Sequence, residues 1–578
     1  MMGRVRNKIY QRKNMYLSFA VILGVMLGFV LRLGYLMIFR ADYFGEKAKE
    51  LHERERVIKA ERGKILDRNG EIIAGNKSVS TVSVIHNQIT DPERVIEVLA
   101  KELDLSEEKV RKRVEKYSSI EKIKSNVPKD ISDKIRSYEL DGVMVDEDYK
   151  RYYVYDELAS KVIGFTGADN QGIIGLEVAY EEYLQGKSGA ILTMTTANGQ
   201  EIDGAAEERR EPVAGNDLTI SLDLQLQQYA MQAAEKVLKA KEAKSVRIIM
   251  MNPQNGEIYA MVNTPEFNLN DPYSLSNISE EEIAGMSEKE INDYRNEMWR
   301  NACICDTYEP GSTFKVITAS AALEAGVVSV SDTFSCPGFK IVEDRRIRCH
   351  KVGGHGAETF AQGIQNSCNP VFIEVGARVG VDGFFKYLNQ FGILEKTGID
   401  LPGEAATIMH KQENVGAVEL ATMSFGQSFQ LTPVRLLASI SSIINGGHSV
   451  VPHFGVKITS SDKSSEKELT YESRDNIVSE ETSGLMRQLL ESVVSEGSGS
   501  KAAVSGYLVG AKTGTSEKLP RSSKKYIASC MGFAPADNPK IIAIVLIDEP
   551  QGIYYGGQIA APVISELLDN ALPYLEKN

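Results

Sequence analysis

Between Met15 and Leu31 the sequence carries no charge, and after Arg32 the apolar run resumes from Leu33 to Phe39. A stretch of this kind has no place on a water-exposed surface. At about 1.5 Å per residue, a helix over Met15–Phe39 is long enough to cross a hydrocarbon core of ~30 Å. Before it stand Arg4, Arg6, Lys8, Arg12 and Lys13, with no acid among residues 1–14. That basic flank is expected to stay in the cytoplasm, which places everything after Arg40 outside. A cleaved signal peptide would have a shorter apolar region followed by small residues, and "YLMIFRADYF" offers no such site. Residues 15–39 therefore read as a retained anchor behind a cytoplasmic tail, 1–14. Arg32 is expected near the outer interface, where its stem can snorkel, or against another membrane protein.

The rest of the 578 residues is too long for one hydrophobic core. "LHERERVIKAERGKILDRNGEIIAGN" (51–76) is a charged lead-in followed by strand, turn and strand around Asn69-Gly70. Residues 91–140 are charged and helical in period. Together, residues 40–212 read as an extended mixed α/β pedestal with no catalytic constellation. "TTANGQEIDGAAEERREPVAGND" (195–217) reads as a connection or extended hairpin.

Residues 213–578 have a different texture. "LTISLDLQLQQYAMQAAEKVLKA" is a short strand entering a long amphipathic helix, and "SVRIIMMNPQNGEIYAMVN" is a hairpin of two apolar strands. "GYLVGAKTGTS", "YIASCMGFAPAD" and "PKIIAIVLIDEP" read as three successive strands before a closing helix. Strands at both ends with helices between predict one sheet assembled from sequence-distant segments. The fold class is multidomain, α/β and α+β, behind a single transmembrane helix.

Some functions are excluded early. The net charge of −13, from 66 basic and 79 acidic residues, lacks the basic bias of a nucleic-acid binder. No HExxH, CxxC…CxxC or GxxxxGK[ST] pattern occurs, so the sequence supports neither a metal nor a nucleotide cofactor.

The chemistry gathers around "EPGSTFKVIT" (309–318). S-x-x-K alone means little, since it also starts at Ser106, Ser119, Ser460, Ser464, Ser498 and Ser522, all in polar contexts. Only Ser312-Thr-Phe-Lys315 opens an apolar helical run. Residues i and i+3 share a helix face, so Lys315 is expected to reach the Ser312 hydroxyl in a partly dry site. Desolvation lowers a lysine pKa and makes it a usable base. Free N–H groups at the helix start suit an oxyanion. In "IQNSCNPVFIEVG", Ser367 and Asn369 stand two apart in a turn and can face one cleft. Lys-Thr-Gly occurs at Lys396 and at Lys512. Lys396 lies in a Gly- and Pro-flanked loop. Lys512-Thr513-Gly514-Thr515 follows a strand, where a glycine permits close backbone approach and Thr513 and Thr515 point the same way. The second copy is the functional one on this reading.

A serine–lysine pair, a Ser-x-Asn turn and a Lys-Thr-Gly strand, in that order, are the signature of penicillin-recognising acyl-transfer enzymes. The chain resembles a class B penicillin-binding protein, a monofunctional peptidoglycan transpeptidase of the septal or sporulation type. The likeness extends to "RGKILDRNGEIIA" (62–74), "GFTGADNQGIIGLEVAYEEYLQGKSG" (164–189), "GQSFQLTP" (426–433) and "YYGGQIAAPVI" (554–564). One departure is Val154, where the family pattern has proline.

The resemblance implies a C-terminal domain with a five-stranded antiparallel sheet flanked by helices. It implies that Ser312 attacks a D-Ala-D-Ala stem peptide, that Lys315 takes its proton and that Ser367, with Lys512, relays it. Asn369 would orient the peptide, and Thr513, Gly514 and Thr515 would hold its carboxylate end. β-Lactams would acylate Ser312. No cofactor is implied. The expected partners are the membrane and a polytopic glycosyltransferase. A catalytically minor scaffold, or a β-lactam-hydrolysing or -sensing relative, is the alternative. The cysteines add one expectation: Cys349 and Cys368 can form a redox pair that pulls on the Ser-x-Asn turn, unless Cys349 pairs with Cys336 across "CPGFKIVEDRRIRC".

Overall fold

The structure is a computed structural model that describes residues 2–44, 47, 53–118, 120–194, 208–275 and 278–577. Helix α1 (Met2–Gly34) runs into a π-helical turn over Tyr35–Phe39. Across the two, Arg12–Phe39 is one exposed helical stretch of 28 residues, long and apolar enough to cross a membrane.

The chain divides into two compact units that interleave in sequence. The first is built from residues 1–60, 78–150 and 187–213, the second from 61–77, 151–186 and 214–578. In the first unit, helices Pro92–Leu103, Glu107–Val114 and Lys129–Ser137 enclose a core that includes Val82, Val84, Ile96, Leu99, Val110 and Ile123. The helical reading of 91–140 is corrected at Glu121–Val127. These residues form a strand antiparallel to Ser80–Val84, because buried Ile123 and Val127 extend that sheet edge. Strand Gly189–Met194 pairs with Glu208–Arg210, as an extended hairpin would. Residues 195–207, between them, lie outside the described residues.

In the second unit, the segments 61–77 and 151–186 meet through buried charge. Glu177 accepts from Arg62 Nε at 2.6 Å and from Arg151 Nε at 2.6 Å, and Arg62 Nη2 reaches Glu181 at 2.7 Å. Gly70, at φ 86°, makes the turn between Ile65–Leu66 and the antiparallel strand that begins at Ile72. The backbone N–H of Val154 donates to Ile73 O at 3.0 Å. Proline could not make that bond.

The dominant feature is the expected five-stranded antiparallel sheet. Its strands are β1 (Ser245–Met251), β2 (Ile258–Asn263), β3 (Gly510–Glu517), β4 (Tyr526–Ala534) and β5 (Ile541–Asp548). Their spatial order is β2-β1-β5-β4-β3, so the first and last parts of the domain share a sheet and β3 lies at its edge. Every residue of β5 is buried. Helices α2 (Leu224–Lys241) and α8 (Ala561–Lys577) cover one face. The other face carries α3 (Lys315–Glu324), α4 (Phe360–Gln365), α5 (Asn369–Gln390), α6 (Pro433–Ile444) and α7 (Glu480–Ser495). A strand covered on both sides needs no polar alternation, hence "IIAIVLI".

Candidate active site

Three segments converge at the edge of this sheet. Ser312 lies in a 3₁₀ turn, Gly311–Phe314, immediately before α3. It is half-buried, whereas Lys315, one helical turn on, is only 1% exposed. Phe314, fully buried, packs edge-on against Phe429 with ring centroids 4.6 Å apart, which fixes the turn from beneath. Ser367 sits between α4 and α5 at φ 53°, a left-handed conformation uncommon for serine. Such strain persists where the surroundings over-determine it.

Lys315 explains part of that constraint. Its Nζ donates to Ser367 O at 2.6 Å, to Ser367 Oγ at 3.2 Å and to Asn369 Oδ1 at 2.8 Å. Lys512, 0% exposed on β3, donates to the same Ser367 Oγ at 2.8 Å. Two buried lysines thus share one serine hydroxyl. No carboxylate lies within ion-pair distance of either among the described residues. Burial pushes Lys315 down to about 8. Lys512 falls well below its ordinary value of 10.5, through burial first and then the charge of Lys315. The expected Ser312–Lys315 hydrogen bond does not form; the amine is turned instead to the Ser-x-Asn turn.

Close packing brings the segments together. A Cβ on Gly514 would lie 2.6 Å from Ser529 Oγ on β4 and 3.2 Å from Pro310 O, so any larger residue would crowd β3 against both its neighbouring strand and the serine turn. Thr513 and Thr515 alternate to the side opposite Lys512, and Thr515 Oγ1 accepts from Gly556 N–H at 3.0 Å. Sequence reasoning assigned no role to Gly311, Gly426 and Gly556. Gly311 N–H donates to Gly426 O at 2.9 Å. A Cβ on Gly426 would meet Gly311 O at 2.0 Å, and one on Gly556 would meet Gly514 O at 2.1 Å. The signal was present in "GQSFQLTP" and "YYGGQIAAPVI", which fold against the serine turn and β3. Lys396, the other Lys-Thr-Gly lysine, is exposed in a loop.

Residues 246–569 match the penicillin binding protein transpeptidase domain, and residues 57–220 match the penicillin-binding protein dimerisation domain. The chain belongs to the penicillin-binding transpeptidase family. It is 38% identical to stage V sporulation protein D of Bacillus subtilis (strain 168), over 99% of this chain and 87% of that one. Peptidoglycan D,D-transpeptidase FtsI of Escherichia coli (strain K12) is 27% identical over 96% of this chain and 91% of its own. The fold is also that of penicillin-binding protein 2X from Streptococcus thermophilus: TM-score 0.73, 20% identity, 90% of this chain and 80% of that chain.

Beside the Ser367–Asn369 turn, Cys349 and Cys368 come together as free thiols, in a cluster that also holds Cys336 and His355. Cys336 and Cys349 flank the expected hairpin, Phe339–Val342 paired with Arg345–Arg348.

Proposed function

We infer that the chain is a membrane-anchored peptidoglycan D,D-transpeptidase working through an acyl-enzyme on Ser312. The observation that carries this reading is the convergence of Lys315 and Lys512 on Ser367 Oγ beside the Ser312 turn. Ser312 Oγ attacks the carbonyl of the penultimate D-alanine, and its proton passes to Lys315, whose lowered pKa of about 8 makes the unprotonated amine accessible. The C–N bond to the terminal D-alanine breaks. The leaving amine takes a proton delivered through Ser367, whose hydroxyl Lys315 and Lys512 both reach. An amine of a second stem peptide then attacks the ester, loses a proton to the same relay and restores Ser312. Asn369 holds the peptide backbone. Thr513 and Thr515, with the positive field of Lys512, hold the terminal carboxylate, and Gly514 keeps β3 close to the serine turn. A β-lactam enters the same first step. Preorganised donors and charges of this kind are a large source of acceleration.

The basic flank of α1 supports a cytoplasmic N-terminus with the catalytic unit outside. The exposed apolar α1 and the dimerisation-domain match support contact with a polytopic glycosyltransferase. The sporulation relative, at 38% identity, favours a role in sporulation over one in vegetative division. The full-length protein, given a stem peptide ending in D-Ala-D-Ala and an amine acceptor, should release D-alanine and form the cross-linked product. Absence of both, or hydrolysis without transfer, would overturn the reading.

A further inference from the structure

Behind the Ser-x-Asn turn lies a cluster that the acyl-transfer chemistry does not use. The ligand-capable atoms of Cys336, Cys349, His355 and Cys368 all lie within 4.8 Å of one another. The three cysteines are 1%, 5% and 0% exposed in chain order, and the His355 side chain is 6% exposed. The fold assembles the set from four places. Cys336 ends strand Thr333–Cys336, which pairs with Gly356–Thr359 in a register that sets Cys336 opposite Gly356 and so brings His355 alongside. Cys349 N–H donates to Gly338 O at 2.9 Å, folding the hairpin back over Cys336. Gly354, at φ 76°, lies where a Cβ would be 2.1 Å from Cys336 O, so the approach of the two segments needs glycine. Cys368 is held at the start of α5 by its N–H bond to Gly363 O, 2.9 Å.

His355 Nδ1 lies 3.7 Å from Cys349 Sγ and 3.8 Å from Glu358 Oε1. Glu358 is 4% exposed, and its Oε1 has no hydrogen-bond partner; its other oxygen accepts from Asn366 at 3.1 Å. No lysine or arginine reaches it within ion-pair distance among the described residues. Three sulfurs, an imidazole nitrogen and a buried carboxylate oxygen thus gather at one place. A disulfide would use only two of the four cluster residues and leave the third thiol, the histidine and the carboxylate unexplained. A tetrahedral zinc ion with Zn–S of about 2.3 Å and Zn–N of about 2.0 Å sets its ligand atoms roughly 3.5–3.8 Å apart. The Cys349–His355 separation of 3.7 Å lies in that range.

We propose that Cys336, Cys349, His355 and Cys368 form a structural zinc site that holds the Ser367–Asn369 turn in its active conformation. Three thiolates and one imidazole complete a closed four-coordinate shell, the set typical of structural rather than catalytic zinc. Glu358 Oε1 lies 3.8 Å from the same Nδ1, at the edge of the proposed shell and not on the ring's other nitrogen. The site reaches the chemistry through one residue. Cys368 stands between Ser367 and Asn369, whose oxygens take the three hydrogen bonds of Lys315. Anchoring its sulfur holds Ser367 in the left-handed conformation that the turn requires. The four ligands are positioning residues; none is offered as touching substrate. Metal occupancy and a Cys349–Cys368 disulfide exclude each other, since one sulfur pair cannot serve both.

The test uses the full-length protein purified under reducing conditions with zinc supplied. Elemental analysis should find one zinc per chain. Exchange for cobalt should give the thiolate-to-metal charge-transfer absorption of a tetrahedral site. Cys336→Ser is the discriminating variant, because Cys336 belongs to neither the Ser-x-Asn turn nor the 349–368 pair. It should lose zinc and acylate with penicillin on the order of tenfold to a hundredfold more slowly, as a displaced catalytic turn does. His355→Cys, which keeps four soft ligands, should retain zinc and most of the acylation rate, whereas His355→Ala should lose both. Metal content is read without any activity, so this proposal can fail while the acyl-transfer reading stands. A wild-type protein free of zinc and blind to cobalt, or one isolated with Cys349 linked to Cys368 when zinc is present, would overturn the site. Loss of zinc from Cys336→Ser with unchanged acylation would overturn its positioning role.

Discussion

Two groups of buried charge in the second unit are handled in opposite ways. Around Glu177, every charge has its counterpart: Arg62 and Arg151 each donate to one of its oxygens at 2.6 Å. The surrounding carboxylates raise the pKa of Arg62 against the opposing pull of burial. At the sheet edge, Lys315 and Lys512 are buried as deeply but meet hydroxyl, carbonyl and amide oxygens, and for Lys315 the face of Phe372, with no carboxylate in ion-pair contact among the described residues. Burial drives both their pKa values down. A compensated charge is locked into its ionised form and serves architecture. An uncompensated one has its pKa drawn down toward neutral pH and can exchange a proton, which is what a base must do.

The contrast can be broken from either side. Replacing Lys315 by Met removes the base while deleting a poorly solvated charge. Penicillin acylation should fall by about 10²- to 10⁴-fold, with no loss in the midpoint of chemical denaturation; a lower midpoint would mean that the lysine serves packing. Replacing Glu177 by Ala does the reverse. Arg151 is left buried without a carboxylate and Arg62 with Glu181 alone, at a cost of about 3–5 kcal/mol. Acylation per folded molecule should hardly change, as urea unfolding and fluorescent penicillin titration would report together.

Lys512→Ala should slow acylation by on the order of 10²-fold. It should also change how stability depends on pH. A lysine depressed in the fold binds fewer protons there than in the unfolded chain, so its contribution to stability rises with pH up to the ordinary value of 10.5. The variant should show a flatter rise over the alkaline limb of denaturation midpoints, and an unaltered slope would contradict the depressed lysine. The smallest effect belongs to Lys396→Ala, whose acylation rate should match the parent; a large drop would reinstate the loop copy of Lys-Thr-Gly.

Local patterns made much of the site legible. Ser312, Ser367 and Lys512 each stand in a short motif whose flanking apolar runs predict the helix or strand that presents it. The sheet was readable because "IIAIVLI" and "SVRIIMM" are unbroken apolar runs of strand length. What stayed hidden depends on contacts between distant segments. Arg62, Arg151 and Glu177 fall in three stretches that nothing local pairs. The strand Glu121–Val127 was concealed by charge on its solvent side, which imitates a surface helix. The lysine–serine geometry was half right, because spacing places Lys315 one turn after Ser312 but cannot foresee that the Ser367 carbonyl and Asn369 amide capture its amine. The Cys336–Cys349–His355–Cys368 set lacks the close pairs of familiar metal motifs. The register of Thr333–Cys336 with Gly356–Thr359, the bond of Cys349 N–H to Gly338 O and that of Cys368 N–H to Gly363 O draw it together.

The central claim is that Ser312 is the nucleophile served by the uncompensated lysines. Intact mass measurement of the full-length protein after incubation with benzylpenicillin, followed by peptide mapping, tests it most directly. One penicilloyl group per chain is expected, carried on the peptide that contains Ser312 and absent from Ser312→Ala. An adduct on any other residue, or one that persists undiminished in Ser312→Ala, would contradict the account.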